Sequence, residues 1–306
     1  MPDAKMNTSS SEALRRRGML FIFFGASVWG LFWLPMHHFD EQGLSALWSV
    51  AAINIAASLI AIPVAIWKRE FILKDARWII IIGLGMGFSN VFYFASLTLT
   101  DVVRAVFLFY LLPIWATVFS KLIYNIPIGP ARIVALIFAI VGIWLLLGAG
   151  GWPIPQNIGD VFALVSGMGW AIAIVLINGR SNVGSLATSG SSLFFAALIA
   201  IIVGYVMSVI QPDIQKALPA FSNISDLLLP VLAFGVLVLW PSITGIIWGS
   251  RHVEAPTAAL FTMSEILVAT ISVTLLIGSE LALISWLGGG LIVMAIFIDV
   301  FAGGDA

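Results

Sequence analysis

One carboxylate stands where a carboxylate is costly. Glu265 interrupts an apolar stretch running from Ala255 to Ile277, long enough to cross a bilayer. A charged group facing lipid at that depth costs several kcal/mol. Glu265 is therefore expected to face the protein interior, meeting a solute amine or carrying a proton in antiport. A carboxyl that only bonds nearby backbone is the alternative. Pro113 and Pro241 interrupt two other apolar stretches. Proline lacks a backbone donor and clashes with the carbonyl four residues earlier, which for Pro113 is that of Phe109. A carbonyl freed inside a membrane must face protein or water. Both prolines are expected as kinks or hinges beside a pathway.

Polar and aromatic residues recur at helical spacing around these positions. Ser89 and Tyr93 lie four apart, with Asn90 beside them, and Trp29 and Trp33 are also four apart, so each pair shares a helix face. Trp240 and Ser242 flank Pro241, while Tyr110, Trp115 and Trp170 fall in other apolar stretches. A cavity lined by tryptophan and tyrosine suits a small amphipathic solute, because the rings supply area and their polar edges supply hydrogen bonds. The expected substrate-binding set is Trp29, Trp33, Ser89, Asn90, Tyr93, Tyr110, Trp115, Trp170, Trp240, Ser242 and Glu265.

Other residues read as structural. Arg104 opens the fourth stretch and is expected to reach lipid headgroups or Asp101, three residues earlier. Asn54 is expected to bond between helices. The His37–His38 pair has no further ligands at metal spacing, so no metal is expected. Trp48, Trp67, Trp78, Trp152, Trp248 and Trp286 fit interface anchors by position. Gly83 and Gly87, and the Gly288–Gly290 run, are expected where helices pack closely.

The elements that position these groups follow from composition. The 306 residues are 61% hydrophobic and 9% charged, with net charge −1 and no cysteine. A soluble domain carries about 25% charged residues. This balance excludes a soluble enzyme and a nucleic-acid binder, and the missing cysteines exclude disulfides and thiolate metal sites. Ten apolar stretches read as membrane helices: about 18–37, 44–67, 78–97, 102–122, 131–149, 158–178, 188–210, 228–249, 255–277 and 281–302. Arg15 to Arg17 precede the first, but no small-residue cleavage site follows it, so it reads as a retained helix. Alternate sides of the membrane then hold unequal positive charge. Lys5, Arg15, Arg16, Arg17, Lys68, Arg69, Lys74, Arg77, Lys121, Arg132, Arg180 and Arg251 share one side, and only Arg104 and Lys216 the other. Positive charge collects inside, which places both termini in the cytoplasm.

The two halves resemble each other. Ala95–Leu147 lies over Ile247–Phe301, which sets Pro113 on Glu265, Trp115 on Leu267 and Phe88–Asn90 on Trp240–Ser242, while Trp29 falls on Trp170. Five helices per half would invert the second half. The expected fold is all-α and integral to the membrane. Residues 1–306 form one domain of two five-helix inverted repeats, about 18–149 and 158–302. Inverted repeats are a device of secondary transporters, with the site near the midplane between them.

A family resemblance rests on three segments of the second half: Glu254-Ala255-Pro256-Thr257-Ala258-Ala259-Leu260 leading to Glu265, Ile277-Gly278-Ser279-Glu280-Leu281, and Gly288-Gly289-Gly290-Leu291-Ile292. These resemble the EamA-type module of the drug/metabolite transporter superfamily, and the chain is similar to two such modules. Phe109-Tyr110-Leu111-Leu112-Pro113 resembles the fourth helix of bacterial aromatic amino acid exporters. Ile126–Pro130 replaces a Gly-Glu pair in the first half, and Ile266 stands where a proline follows the carboxylate in the pattern. The resemblance implies ten helices, a central cavity opening to either side, and export of small metabolites through the bacterial inner membrane.

Absences narrow the reading. No span carries a mid-helix lysine or arginine to meet a phosphate. No nucleotide-binding loop, serine elbow or His-Glu-x-x-His motif occurs. No cofactor, no enzymatic activity and no nucleic-acid partner are therefore expected. The partners are the bilayer, a small-molecule substrate such as an amino acid, and protons if transport is coupled; the chain would act as a monomer or a homodimer. The expected function is export of amino acids, aromatic ones included, by alternating access. The alternative is proton-coupled efflux of hydrophobic cations or drugs.

Overall fold

A computed structural model describes residues 2–70, 75–148, 154–180, 182–220, 225–278 and 282–302. Lys74, Trp152 and the Ser279–Leu281 part of the family resemblance lie outside them. The described residues contain helices and no strand. Nine helical spans among them are long and apolar enough to cross a membrane. The expected fifth span, Pro130–Leu146, has 17 residues, or about 25 Å at 1.5 Å per residue, the short end of the spanning range. It stops earlier than the expected 149 because Gly148 turns into the left-handed region at φ +89°, where glycine carries no steric penalty.

Four spans are subdivided. The first consists of α1 (Pro2–Trp29) and α2 (Trp33–Glu41), joined by a tight turn. Then α3 (Ala46–Trp67) and α4 (Ala76–Leu99) are continuous. The fourth span breaks at Tyr110–Leu111 into α5 (Val102–Phe109) and α6 (Leu112–Tyr124). Pro113 sits in the first turn of α6, where a missing N–H is tolerated. Next come α7 (Pro130–Leu146), α8 (Ile158–Gly179) and α9 (Ser185–Ile210). The eighth span joins α10 (Leu228–Phe234) to α11 (Trp240–Ser250) through a π-helical turn, Gly235–Leu239. The Trp240 amide bonds back to the Gly235 carbonyl, so the wider turn absorbs the misfit that Pro241 imposes. The ninth consists of α12 (Ala255–Thr262) and α13 (Ser264–Ile277), and α14 (Leu283–Ala302) closes the bundle.

Packing is dominated by α7 on α14, α3 on α9, α4 on α8 and α9, and α1 on α11, with α5 and α6 on α8 and α12 and α13 on α1. Small residues make these approaches possible. A Cβ on Gly142 would sit 2.9 Å from the Gly288 carbonyl oxygen, and one on Gly87 would sit 2.6 Å from the Ala196 amide nitrogen. Gly290 faces open space, so the expected glycine contact of the last span comes from Gly288.

Two expectations are corrected. Trp48 is buried rather than an interface anchor, and its indole donates to the Lys216 carbonyl at 2.9 Å. This bond joins the turn after α9 to the start of α3, where Gln215 also bonds Ser45 at 2.9 Å. Asn54 bonds the Val50 carbonyl of its own helix at 2.8 Å, not a neighbouring helix.

Gly288→Val should force α7 and α14 apart and lower stability by about 1–3 kcal/mol. Gly290→Val should change little. Thermal unfolding of both variants in detergent checks the contrast.

Candidate functional site

The two breaks in the fourth and ninth spans meet at a central cavity. It is lined by Ala26 and Trp29 of α1, Ser89, Asn90 and Tyr93 of α4, Phe109 and Leu112 at the first break, Trp170 of α8, Ile246 of α11, and Thr262 and Glu265 at the second. Its volume is about 20 Å³, room for about one water, so the walls are closed tightly around the polar groups.

The sequence-selected residues divide into three sets. Trp29, Ser89, Asn90, Tyr93, Trp170 and Glu265 line the cavity together. Tyr110 is buried beside the lining residue Phe109, their ring centroids 5.1 Å apart, and its hydroxyl has no hydrogen-bond partner among the described residues. The remaining four are placed elsewhere. Trp33 donates to Ser272 of α13 at 3.0 Å. Ser242 accepts from the Trp29 indole at 2.9 Å. Trp115 stacks on Phe119 with ring centroids 6.2 Å apart, and Trp240 precedes Pro241 in the eighth span. The Trp115 and Trp240 indole nitrogens are buried without a hydrogen-bond partner. Ala26, Phe109, Leu112, Ile246 and Thr262 join the wall without belonging to the expected binding set. All but Thr262 are apolar residues in apolar spans, which give no signal until the helix faces are known.

Aromatic contacts fix the wall. Trp29 stacks on Phe32 at 5.1 Å and meets Trp170 edge-on at 5.7 Å. Tyr93 and Phe109 lie 4.2 Å apart. The Phe109 carbonyl, released by Pro113, points into the space left by Gly167 of α8, where a Cβ would come within 2.5 Å of it. The freed carbonyl thus faces protein, as it must in hydrocarbon.

Glu265 is placed by α1 and α2. Ser264 donates to the Phe23 carbonyl at 3.1 Å, and Trp33 reaches Ser272 two turns further on. Between them, Gly30 packs on the backbone of α13 at Glu265, and a Cβ there would sit 2.8 Å from the Ala269 nitrogen. Gly30 was not anticipated, because a lone glycine among apolar residues has no distinguishing pattern. Among the described residues, no ion pair involves Glu265.

Residues 16–148 match the EamA-like transporter family. The match covers the first half, whereas the motifs read from sequence lay chiefly in the second. No curated protein matches the chain. A crystal structure 18% identical in sequence matches 93% of this chain and 98% of its own, with a TM-score of 0.71, so the two share a fold.

Among the described residues, two polar knots tie the matched segment to the rest of the chain, with each cation inside the segment and each anion outside. Arg104 pairs with Asp160 at 3.3 Å, correcting the expected partner: Asp101 instead caps α5 by accepting from the Arg104 amide at 3.1 Å. Asp160 is fully buried and also accepts from Thr100 at 2.6 Å and the Gln156 amide at 2.7 Å. In the second knot, Arg132 lies 2.8 Å from Asp299 and 2.6 Å from Glu254. Thr257 donates to Asp299 at 2.6 Å. Asp299 is fully buried but Glu254 is 55% exposed, so the Asp299 leg dominates.

Arg132→Ala should destabilise the protein by about 3–5 kcal/mol, because it strands a buried carboxylate. Glu254→Gln should cost less than about 1 kcal/mol. Thermal unfolding reads both, and the double variant Arg132→Met with Asp299→Leu should recover most of the loss. A neutral Arg132→Ala would show that this knot does not hold the two halves together.

Proposed function

We propose that the chain is a secondary transporter of the drug/metabolite superfamily. It would export small metabolites, amino acids including aromatic ones, across the bacterial inner membrane by alternating access. In this reading residues 1–306 are one membrane domain of two five-helix inverted repeats, about 18–149 and 158–302, with both termini cytoplasmic. The halves rock about the central cavity, and Pro113 and Pro241 mark the flexible points.

The observation that carries the proposal is the cavity itself. Both halves line it, it lies at the midpoint of broken helices, and it combines ring surface with a few polar groups, as a carrier for amphipathic solutes requires. The packing supports the repeat. Exchanging each span for the one five positions away maps α4 on α8 onto α11 on α1. It maps α7 on α14 and α3 on α9 onto themselves. The broken spans match as well, since α5 and α12 each run eight residues before the break. Twelve of the 14 lysines and arginines on one side support the orientation. With no nucleotide-binding motif in the sequence, the driving force is the solute's own gradient or that of an ion such as the proton.

Solute counterflow in liposomes tests the proposal. Liposomes holding the purified protein and loaded with unlabelled phenylalanine should accumulate labelled phenylalanine above protein-free liposomes. Trp170→Ala should cut the initial rate at least about tenfold, since it removes a central aromatic wall. Absence of counterflow with phenylalanine, threonine and methionine would contradict amino acid export.

A further inference from the structure

The transport reading leaves open which end of a solute the cavity holds, and its hydrogen-bonding inventory is one-sided. The lining hydroxyls spend their protons on backbone: Ser89 donates to the Ser166 carbonyl at 2.6 Å and Thr262 to the Ala259 carbonyl at 2.7 Å. What these groups retain for the cavity is lone pairs. The Trp29 indole N–H is likewise taken by Ser242, so that ring offers the cavity its surface rather than a donor. The Asn90 carbonyl oxygen is buried without a partner. Glu265 adds a carboxylate, and among the described residues no lysine, arginine or histidine lines the cavity. The donors left on the described lining are the Asn90 amide and the Tyr93 hydroxyl, both neutral.

A cavity so arranged stabilises positive charge. Aromatic faces attract a cation through the ring quadrupole, and a box of several rings is the recurrent receptor for ammonium groups. Trp29, Trp170, Tyr93 and Phe109 supply the rings, and Glu265 with the Asn90 oxygen supplies the charged and polar acceptors. A solute carboxylate would find no cation to meet and would be repelled by Glu265 across a poorly hydrated space. We propose that this cavity selects solutes carrying a protonated amine on an apolar body, and that an amine or amide derived from an amino acid binds more tightly than the zwitterion itself. The inference rests on the transport reading and names the charge class of solute for the same site.

The test is a ladder of three probes with one ring. Phenethylamine carries the ammonium alone, phenylalanine carries both charges, and 3-phenylpropionate carries the carboxylate alone. Binding to the purified wild-type protein in detergent is measured by titration calorimetry, and each probe is also tested as a competitor of labelled phenylalanine in counterflow. A charge-assisted contact that the carboxylate cannot make predicts binding in the order phenethylamine, phenylalanine, 3-phenylpropionate, with roughly ten- to hundredfold between the ends. Glu265→Gln should reduce that span to within about threefold, whereas Trp170→Ala should weaken all three together. The wild-type ladder decides the question even if Glu265→Gln fails to fold. Counterflow of phenylalanine with 3-phenylpropionate binding as tightly as phenethylamine would overturn the inference and leave the transport reading standing. Failure of all three probes to bind, together with absent counterflow, would overturn both.

Discussion

A buried carboxylate in an apolar helix constrains everything around it. Hydrocarbon offers neither charge nor hydrogen bonds, so Glu265 must be surrounded by protein and by whatever the protein admits. The bundle meets this demand with close backbone approach. Gly30 allows the turn between α1 and α2 to lie against α13, while Ser264 and Trp33 tie the two segments on either side of the carboxylate. Because α1 also packs on α11 and carries Trp29 into the cavity, one helix helps set both the acid and part of the aromatic lining.

The same rule explains the breaks and the knots. Pro113 releases a carbonyl, and Gly167 leaves room for it. Pro241 is accommodated by a π turn whose wider hydrogen bonds keep the backbone satisfied. At the bundle's ends, Asp160 and Asp299 are fully buried, and each has an arginine and a threonine hydroxyl as partners. These interactions cross from the helices within residues 16–148 to the remaining helices. Any motion of one half against the other must therefore break or carry along a compensated charge pair, which makes the ends discrete latching points rather than soft joints.

Much of the helix plan was legible because period and length are local properties. Continuous apolar runs of about twenty residues specify spans directly, and proline marked two of the four subdivided ones. The break at Met263 left no such mark: there the chain tightens so that the Met263 amide bonds Leu260, three residues back, at 3.1 Å. Six of the eleven site residues chosen by type and spacing line one cavity, because polar and aromatic groups in a span have few places to go. Trp33, Ser242, Trp115 and Trp240 show where that logic stops. The partners of Trp33 and Ser242 lie far off in sequence, and spacing says which residues share a face but not what that face meets. Arg104 failed for the same reason: Asp101 was near in sequence, whereas Asp160, 56 residues away, was near in space.

The proposed transport requires the cavity at Glu265 to be a solute site reached in turn from both sides of the membrane. The sequence has no cysteine, so one introduced at Thr262 would be the sole thiol. The decisive measurement is its modification by a membrane-impermeant, positively charged thiosulfonate, applied separately to right-side-out and inverted vesicles. Alternating access to an amine-selective cavity predicts modification from both sides, slowed by phenethylamine. A thiol that reacts from neither side, or whose reaction is indifferent to the amine, would contradict it.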